Sequence, residues 1–161
     1  MDAERRYALL IEPLLGQAAA YARAILRDRE NARDAIQEAA LRGLERFRTF
    51  DTSRPFKGWW FAIVRNCCID ILRRLAAAKT ETLDEFRLPH PPGPDTADWE
   101  ILGAAIESLS EQHREILRLR YFADLSYREL AEALGIAGGT VMSRLHLARK
   151  ALQAQMGEDE S

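Results

Sequence analysis

The chain has 161 residues, 47% hydrophobic and 30% charged, an ordinary globular composition with room for one domain or two small ones. Its formal net charge of −2 argues against a protein that holds bare nucleic acid by electrostatics alone. Adjacent Cys67 and Cys68 cannot form a disulfide framework, His90, His113 and His146 lack metal-ligand spacing, and no apolar run or signal-peptide pattern suggests a membrane or export route, so a cytoplasmic protein without disulfide, metal or cofactor is expected.

The charge is unevenly distributed. Residues 1–75 hold 14 Lys and Arg against 10 Asp and Glu, residues 76–100 hold 2 against 6, residues 101–155 hold 7 against 6, and residues 156–161 carry three acids. Two weakly basic segments joined by an acidic one would bind duplex DNA poorly alone and would borrow affinity from a larger partner.

Taken in order, the chain opens with a helical pattern from about Ala3 to Leu26, bent or broken at Pro13 and Gly16. Asp28 can cap the next helix, about Glu30–Phe47, whose periodicity turns Ala32, Ile36, Ala39, Gly43 and Phe47 inward. Its outer face holds Asp34, Gln37, Glu38, Leu41 and Glu45. Such a face is either merely solvated or, with a leucine among its charges, suited to docking on a basic partner.

Residues 48–55, RTFDTSRP, read as a loop, with Pro55 placed to start a helix over about Phe56–Leu75. Trp60, Ile63, Val64, Cys67, Ile71 and Leu75 form its apolar stripe, which makes the cysteines core residues. Ala62, Arg65, Asn66, Ile69, Asp70 and Arg73 form the opposite edge, with Trp59 on the border. Aromatic and basic residues on one edge beside a polar loop could stack an unpaired base and hold its phosphates, or the tryptophans could simply be core.

Residues 76–96, with four prolines between Pro89 and Pro94, read as an acidic linker with an r.m.s. span of roughly 25 Å as a coil. Beyond it, a helix near Ala97 presents Trp99, Leu102, Ile106 and Leu109, and Ser110 caps another. Leu125–Leu152 then reads as two short helices joined by a glycine turn. Ser126 and Glu129 complete a capping box, Gly135 ends the first helix, and the second begins near Gly139 or Thr140 with Val141, Leu145, Ala148 and Leu152 inward. Its outer side carries Ser143, His146, Leu147 and Lys150, flanked by Met142, Arg144 and Arg149. This is a helix-turn-helix whose second helix a major groove admits, although a helical hairpin with a solvated outer face fits the same pattern.

Three stretches in this order, DAIQEAALRGLERFRTFD, RPFKGWWFAIVRNCCIDILRR and LSEQHREILRLRYFADLSYRELAEALGIAGGTVMSRLHLARKAL, give a further reading: the chain resembles the extracytoplasmic-function sigma factors of bacterial RNA polymerase over nearly its whole length. The resemblance implies an all-α protein with two helical domains, 1–75 and 97–156, joined by the linker 76–96 and followed by a tail, 157–161. It implies partners: core RNA polymerase, promoter DNA and an anti-sigma factor, with no small-molecule substrate, no membrane insertion and no enzymatic chemistry. By carry-over, Asp34, Gln37, Glu38 and Leu41 would dock on the polymerase. Phe50, Asp51, Thr52, Ser53, Trp59, Arg65, Asn66, Arg73 and Arg74 would hold the melted minus-ten element. Met142, Ser143, Arg144, His146, Leu147, Arg149 and Lys150 would meet the minus-35 duplex.

Two departures from the family pattern stand out. Met142 and Leu147 occupy positions that are often basic in relatives, so minus-35 preference would lean on His146, Ser143, apolar contact with thymine methyls and DNA shape. Ala137, Gly138 and Gly139 stand where relatives commonly carry a proline and a bulkier residue, which leaves the start of the second helix open. Readings from other classes are a sigma-like module that titrates an anti-sigma factor and a stand-alone helix-turn-helix regulator.

Overall fold

The computed structural model describes residues 2–81 and 97–160. Among these residues every regular element is helical: α1 (Ala3–Ile11), a 3-10 turn (Glu12–Leu14), α2 (Leu15–Leu26), α3 (Arg29–Phe47), α4 (Phe56–Glu81), α5 (Ala97–Glu107), α6 (Glu111–Tyr121), α7 (Tyr127–Leu134) and α8 (Gly138–Glu160).

Local chemistry sets most of the boundaries. Pro13 lies inside the short turn Glu12–Leu14 that follows α1 and divides the N-terminal helical stretch. Asp28 caps α3, its carboxylate accepting from the Asn31 amide at 3.1 Å. Ser110 caps α6, and the expected capping box opens α7. Gly135 ends α7 at φ 65°, in the left-handed region that glycine enters without a Cβ penalty.

Helix α4 is the centre of the molecule. It packs on α3 and α2 on one side and on α7 on the other, so more of its circumference is buried than one stripe accounts for. Trp60, Ile63, Val64, Cys67 and Ile71 are buried as expected, and so are Phe61 and Cys68, which a single stripe would have left outside. Leu75 lies at the end of the packed region and stays 36% exposed. On α3 the inward residues are Ala32, Ala35, Ala39, Gly43 and Phe47, with Ile36 only half-buried.

At the heart of the first unit, Tyr7 of α1 donates to the Ala40 carbonyl at 2.7 Å and accepts from the Trp60 indole N–H at 2.9 Å. A Cβ on Gly43 would lie 2.2 Å from the Tyr7 hydroxyl oxygen, so this helix-interior glycine makes space for that contact. In the second unit the inward stripe of α8, Val141, Leu145, Ala148 and Leu152, is buried, as are Ile116, Leu117 and Leu119 of α6 and Ile106 of α5. Leu102 and Leu109 pack against this core half-buried, and the Trp99 side chain lies outside the described residues.

Three expectations need correction. Helix α4 runs on to Glu81, past Leu75, because AAAKTE contains no breaker and alanine, lysine and glutamate are strong helix formers. The first six residues of the expected linker are therefore helical, and residues 82–96 lie outside the described chain. Helix α8 likewise reaches Glu160, through most of the expected tail. Finally, Ala3–Leu26 is long and apolar enough by composition to cross a bilayer, which inspection of the sequence missed. That stretch is interrupted by the 3-10 turn, carries Glu4, Arg5, Arg6, Glu12 and Arg23, and buries Tyr7, Ile11, Ala18, Tyr21, Ala22 and Leu26 in the core, as a packed helix pair does.

Burial leaves a titration signature. Desolvation pushes the Tyr7 phenol and the Cys68 thiol each up to about 12, and it raises Tyr21 as well. Unfolded chains lose these protons first, near the ordinary values of 9.0 for the thiol and 10.0 for the phenols, so the stability they contribute is complete below those values and is lost as pH rises through the folded ones. Thermal melts from pH 9 to 12 should show a steadily falling Tm, with a shallower fall in Cys68→Ala. A Tm that stays level over that window would contradict the assignment.

Candidate nucleic-acid and partner interfaces

Three surfaces carry the residues singled out in the sequence. On α3, Asp34, Gln37, Glu38 and Leu41 share one face, as their spacing over two turns requires. Asp34 and Gln37 are exposed, Leu41 is 60% exposed, and Glu38 is half-exposed. Glu38 accepts from Arg42 Nε at 3.0 Å, and Arg42 reaches across to Asp70 of α4 at 3.1 Å. Asp70, with help from Glu38, raises the Arg42 pKa above its usual value. Glu38 is thus partly engaged in tying α3 to α4, and Asp34, Gln37 and Leu41 are the exposed polar and apolar features of this face. Asp34 also borders a shallow groove of about 230 Å³ with Asn31, Ile71, Arg74 and Leu75.

The second surface is the loop after α3 with the first half of α4. Asp51 accepts from the Ser53 amide at 3.0 Å and from the Ser53 hydroxyl at 2.7 Å, and the Arg54 amide closes the turn on the Asp51 carbonyl at 3.0 Å. Those hydrogen bonds hold the Asp51 carboxyl below its ordinary range. Phe50 packs on Trp59 with ring centroids 4.7 Å apart, and Phe47 and Phe56 complete the aromatic cluster. Trp59 is therefore half-buried against the loop and fixes it to α4.

Along α4, Trp59, Asn66 and Arg73 recur at sevens and lie on one stripe. Asn66 and Arg73 are exposed. Arg65 stands about 100° away from Asn66, yet its guanidinium bends over to donate to the Asn66 side-chain Oδ1 at 3.2 Å. Arg74 is not brought together with this group: it lies beside Asp34 on the α3 side of the helix. Two basic residues stand beside the turn: Arg54, within the polar loop that the sequence already set next to this edge, and Lys57, which the sequence reading passed over. Their position flanking Pro55, between the turn and the aromatic run, was the available cue.

The third surface is the outer side of α8. Met142 and Leu147 are 60% and 56% exposed, and Ser143, His146 and Lys150 are exposed with them. Arg144 and Arg149 sit half-buried on the flanks. Ser143 donates its hydroxyl to the Gly139 carbonyl at 3.2 Å, keeping its lone pairs outward. Arg149 donates to the Tyr127 hydroxyl at 3.3 Å, and hydrogen bonds to Tyr121 and Tyr127 raise its pKa. Helix α8 starts at Gly138, earlier than expected, with the Val141 amide already bonded to the Ala137 carbonyl at 3.1 Å.

Residues 10–78 match the family described as sigma-70 region 2, and residues 99–152 match sigma-70, region 4. Among curated proteins, the chain is 34% identical to the ECF RNA polymerase sigma factor SigL of Mycobacterium tuberculosis, covering 86% of this chain and 81% of that one. It is 35% identical to the ECF RNA polymerase sigma factor RpoE of Cereibacter sphaeroides over 78% of this chain and 72% of the relative. Among solved structures, RpoE in complex with the anti-sigma factor NepR, from Bartonella quintana, matches at a TM-score of 0.72 and 26% identity, covering 95% and 96% of the two chains. CnrH in complex with the cytosolic domain of CnrY shares the fold at a TM-score of 0.73 and 24% identity, covering 96% and 90%.

Proposed function

Because this chain belongs to the ECF sigma factors of the sigma-70 family, we propose that it binds core RNA polymerase and directs it to promoters by reading a minus-ten element with the first unit and a minus-35 element with the second. One observation carries the reading. The two matched segments, residues 10–78 and 99–152, fall within the two helical units, whose outer faces carry the residues we read as docking and base-reading.

The division of labour follows from the chemistry of each face. Asp34 and Leu41 offer a charge and an apolar anchor to a basic partner. The turn at Asp51–Arg54 and the Asn66–Arg73 edge of α4 offer polar groups and cations to unpaired bases and their phosphates. The outer side of α8 enters the major groove, where His146 and Ser143 meet base edges, Met142 and Leu147 meet thymine methyls, and Arg144, Arg149 and Lys150 meet phosphates. The chain itself performs no covalent chemistry in this reading. An anti-sigma factor is a natural regulator, since a solved relative of the same fold is held by one.

The test is run-off transcription with purified core polymerase over a library of promoters from the host genome. Transcripts from a defined subset are expected, and none from any promoter would overturn the proposal. In the same assay His146→Ala should change the preferred minus-35 hexamer by about 1–3 kcal/mol at one position while leaving minus-ten preference as it was. A selected library that returns the same hexamer would remove His146 from the reading surface.

A further inference from the structure

Where the end of α2 meets α5 and α6, three guanidiniums gather around one carboxylate. Ile25 and Arg27, Leu72 of α4, Glu107 at the end of α5, and Arg114 and Arg118 of α6 line a cavity of about 200 Å³. Glu107 accepts from Arg118 through one carboxylate oxygen, and Arg27 stands 3.7 Å from the other. Arg114 donates to the backbone carbonyls of Glu107 and Leu109 at 3.3 and 3.2 Å, which fixes it to the turn after α5. Arg118 forms the back of the cavity, with 15% of its side chain exposed, and Arg27 forms the rim, with 50% exposed.

Two features set this cluster apart from an ordinary surface ion pair. Three guanidiniums against one carboxylate leave the lining with a charge of +2. Each guanidinium carries five N–H donors, so the three together offer more than one carboxylate and two carbonyl groups can accept. The second feature is the backbone of Arg27, which caps α2 at φ 56° in the left-handed region. Glycine is the residue that a helix end favours there, so the local backbone gives no reason for an arginine, whereas its position on the rim of a basic cavity does.

We propose that this cavity is a binding site for a small polyanion, the diphosphate group of a soluble ligand, held between the end of α2 and the start of α6. Guanidinium forks match phosphate oxygens two at a time, and Arg118 and Arg114 are already fixed by their protein contacts. The cavity is smaller than the roughly 300–1,000 Å³ of sites that enclose drug-sized molecules, so it holds the charged group and leaves the rest of the ligand outside. Glu107 stands in for the anion in the free protein. Its contact with Arg27 is long and exposed, hence weak, and Arg27 can turn from it to an incoming phosphate. None of the lining residues belongs to the surfaces read above as meeting DNA, which favours a free diphosphate over a nucleic-acid strand.

The experiment is a calorimetric titration of the full chain with inorganic pyrophosphate in metal-free buffer, with thermal melts alongside and sodium chloride at matched ionic strength as the reference. Saturable binding at one site per chain and a rise in Tm beyond that in chloride are expected. Arg27→Gly should leave the Tm of the ligand-free protein level or higher, because glycine suits φ 56°, yet should lower pyrophosphate affinity by about tenfold or more. Glu107→Gln keeps the shape and removes the competing charge, so it should tighten binding by about two- to fivefold. Arg5→Ala, on the exposed side of α1, should bind like the parent. ADP should displace pyrophosphate, and a single-stranded oligonucleotide should not. Binding no stronger than chloride explains, an affinity unchanged in Arg27→Gly or equally reduced in Arg5→Ala, or weaker binding in Glu107→Gln would overturn the site. Displacement by the oligonucleotide but not by ADP would overturn the soluble ligand and give the cavity to a strand.

Discussion

Leu41→Lys should leave the protein folded and lower its affinity for core polymerase by at least about tenfold, with promoter choice unchanged among the complexes that still form. Leu41 is 60% exposed at the end of a face that begins with Asp34 and Gln37, so it makes little contribution to the core of the free protein. Burying a leucine at an interface is worth about 1.5–3 kcal/mol, and every 1.4 kcal/mol is about a factor of ten in affinity. Lysine forfeits that burial and brings a charge of the wrong sign to a basic partner. Asp34→Arg should act differently, slowing association and reducing its salt dependence, because an exposed charge steers more than it anchors. Titration of labelled protein with core polymerase measures both, and a Leu41→Lys affinity within about twofold of the parent would remove this face from the docking surface.

Gly43→Ala should destabilise the first unit by about 2–4 kcal/mol, a large share of the 5–15 kcal/mol that usually holds a domain together. Ordinary helix propensity predicts the opposite sign, a gain approaching 1 kcal/mol from removing a glycine inside a helix. The contact at Gly43 decides the sign: a methyl group there would lie 2.2 Å from the Tyr7 hydroxyl oxygen and 3.1 Å from Trp60 Cδ1. Tyr7 would have to retreat, breaking its bond to Ala40 and leaving the buried Trp60 N–H without an acceptor. An unmade buried hydrogen bond costs about 1–3 kcal/mol by itself. Tyr7→Phe removes the obstructing oxygen, so Gly43→Ala should cost less in that background than in the parent, by more than about 0.5 kcal/mol in denaturant melts. A Gly43→Ala protein more stable than the parent would show that the hydroxyl yields freely.

What could be read from the sequence was local and periodic. The inward stripe of α8, the capping box of α7, the Gly135 stop and the Asp28 cap depend on residues within a few positions of one another, and each is found where expected. Helix α4 shows where such reading runs out. Phe61 and Cys68 are buried because α4 is packed from more than one side, and a single stripe cannot express that. The continuation of α4 to Glu81 was hidden by the prolines from Pro89 to Pro94, whose linker-like composition was extended too far upstream.

The candidate surfaces divide in the same way. Exposure of Asp34, Gln37, Leu41, Met142, His146 and Leu147 followed from helical spacing alone. The engagement of Glu38 by Arg42, the holding of Arg149 by Tyr127, and the pairing of Arg65 with Glu115 join residues 4, 22 and 50 positions apart. Only the first of these lies within reach of a helix rule. Gly43 and Gly58 each signal a close approach, yet a glycine in sequence does not say what comes near it.

The turn built by Asp51 bears on how tightly a short recognition loop can hold its ligand. Confining the backbone of one residue costs about 1–2 kcal/mol at room temperature, so a slack loop over Asp51–Arg54 would surrender several kcal/mol of its contacts merely to stop moving. One carboxylate bonded to the Ser53 amide and hydroxyl, and one carbonyl bonded to Arg54, settle that shape while the chain folds. In the proposed reading Asp51→Ala should thus weaken the grip on a single-stranded base twice over, through the lost polar group and through the lost rigidity of the turn.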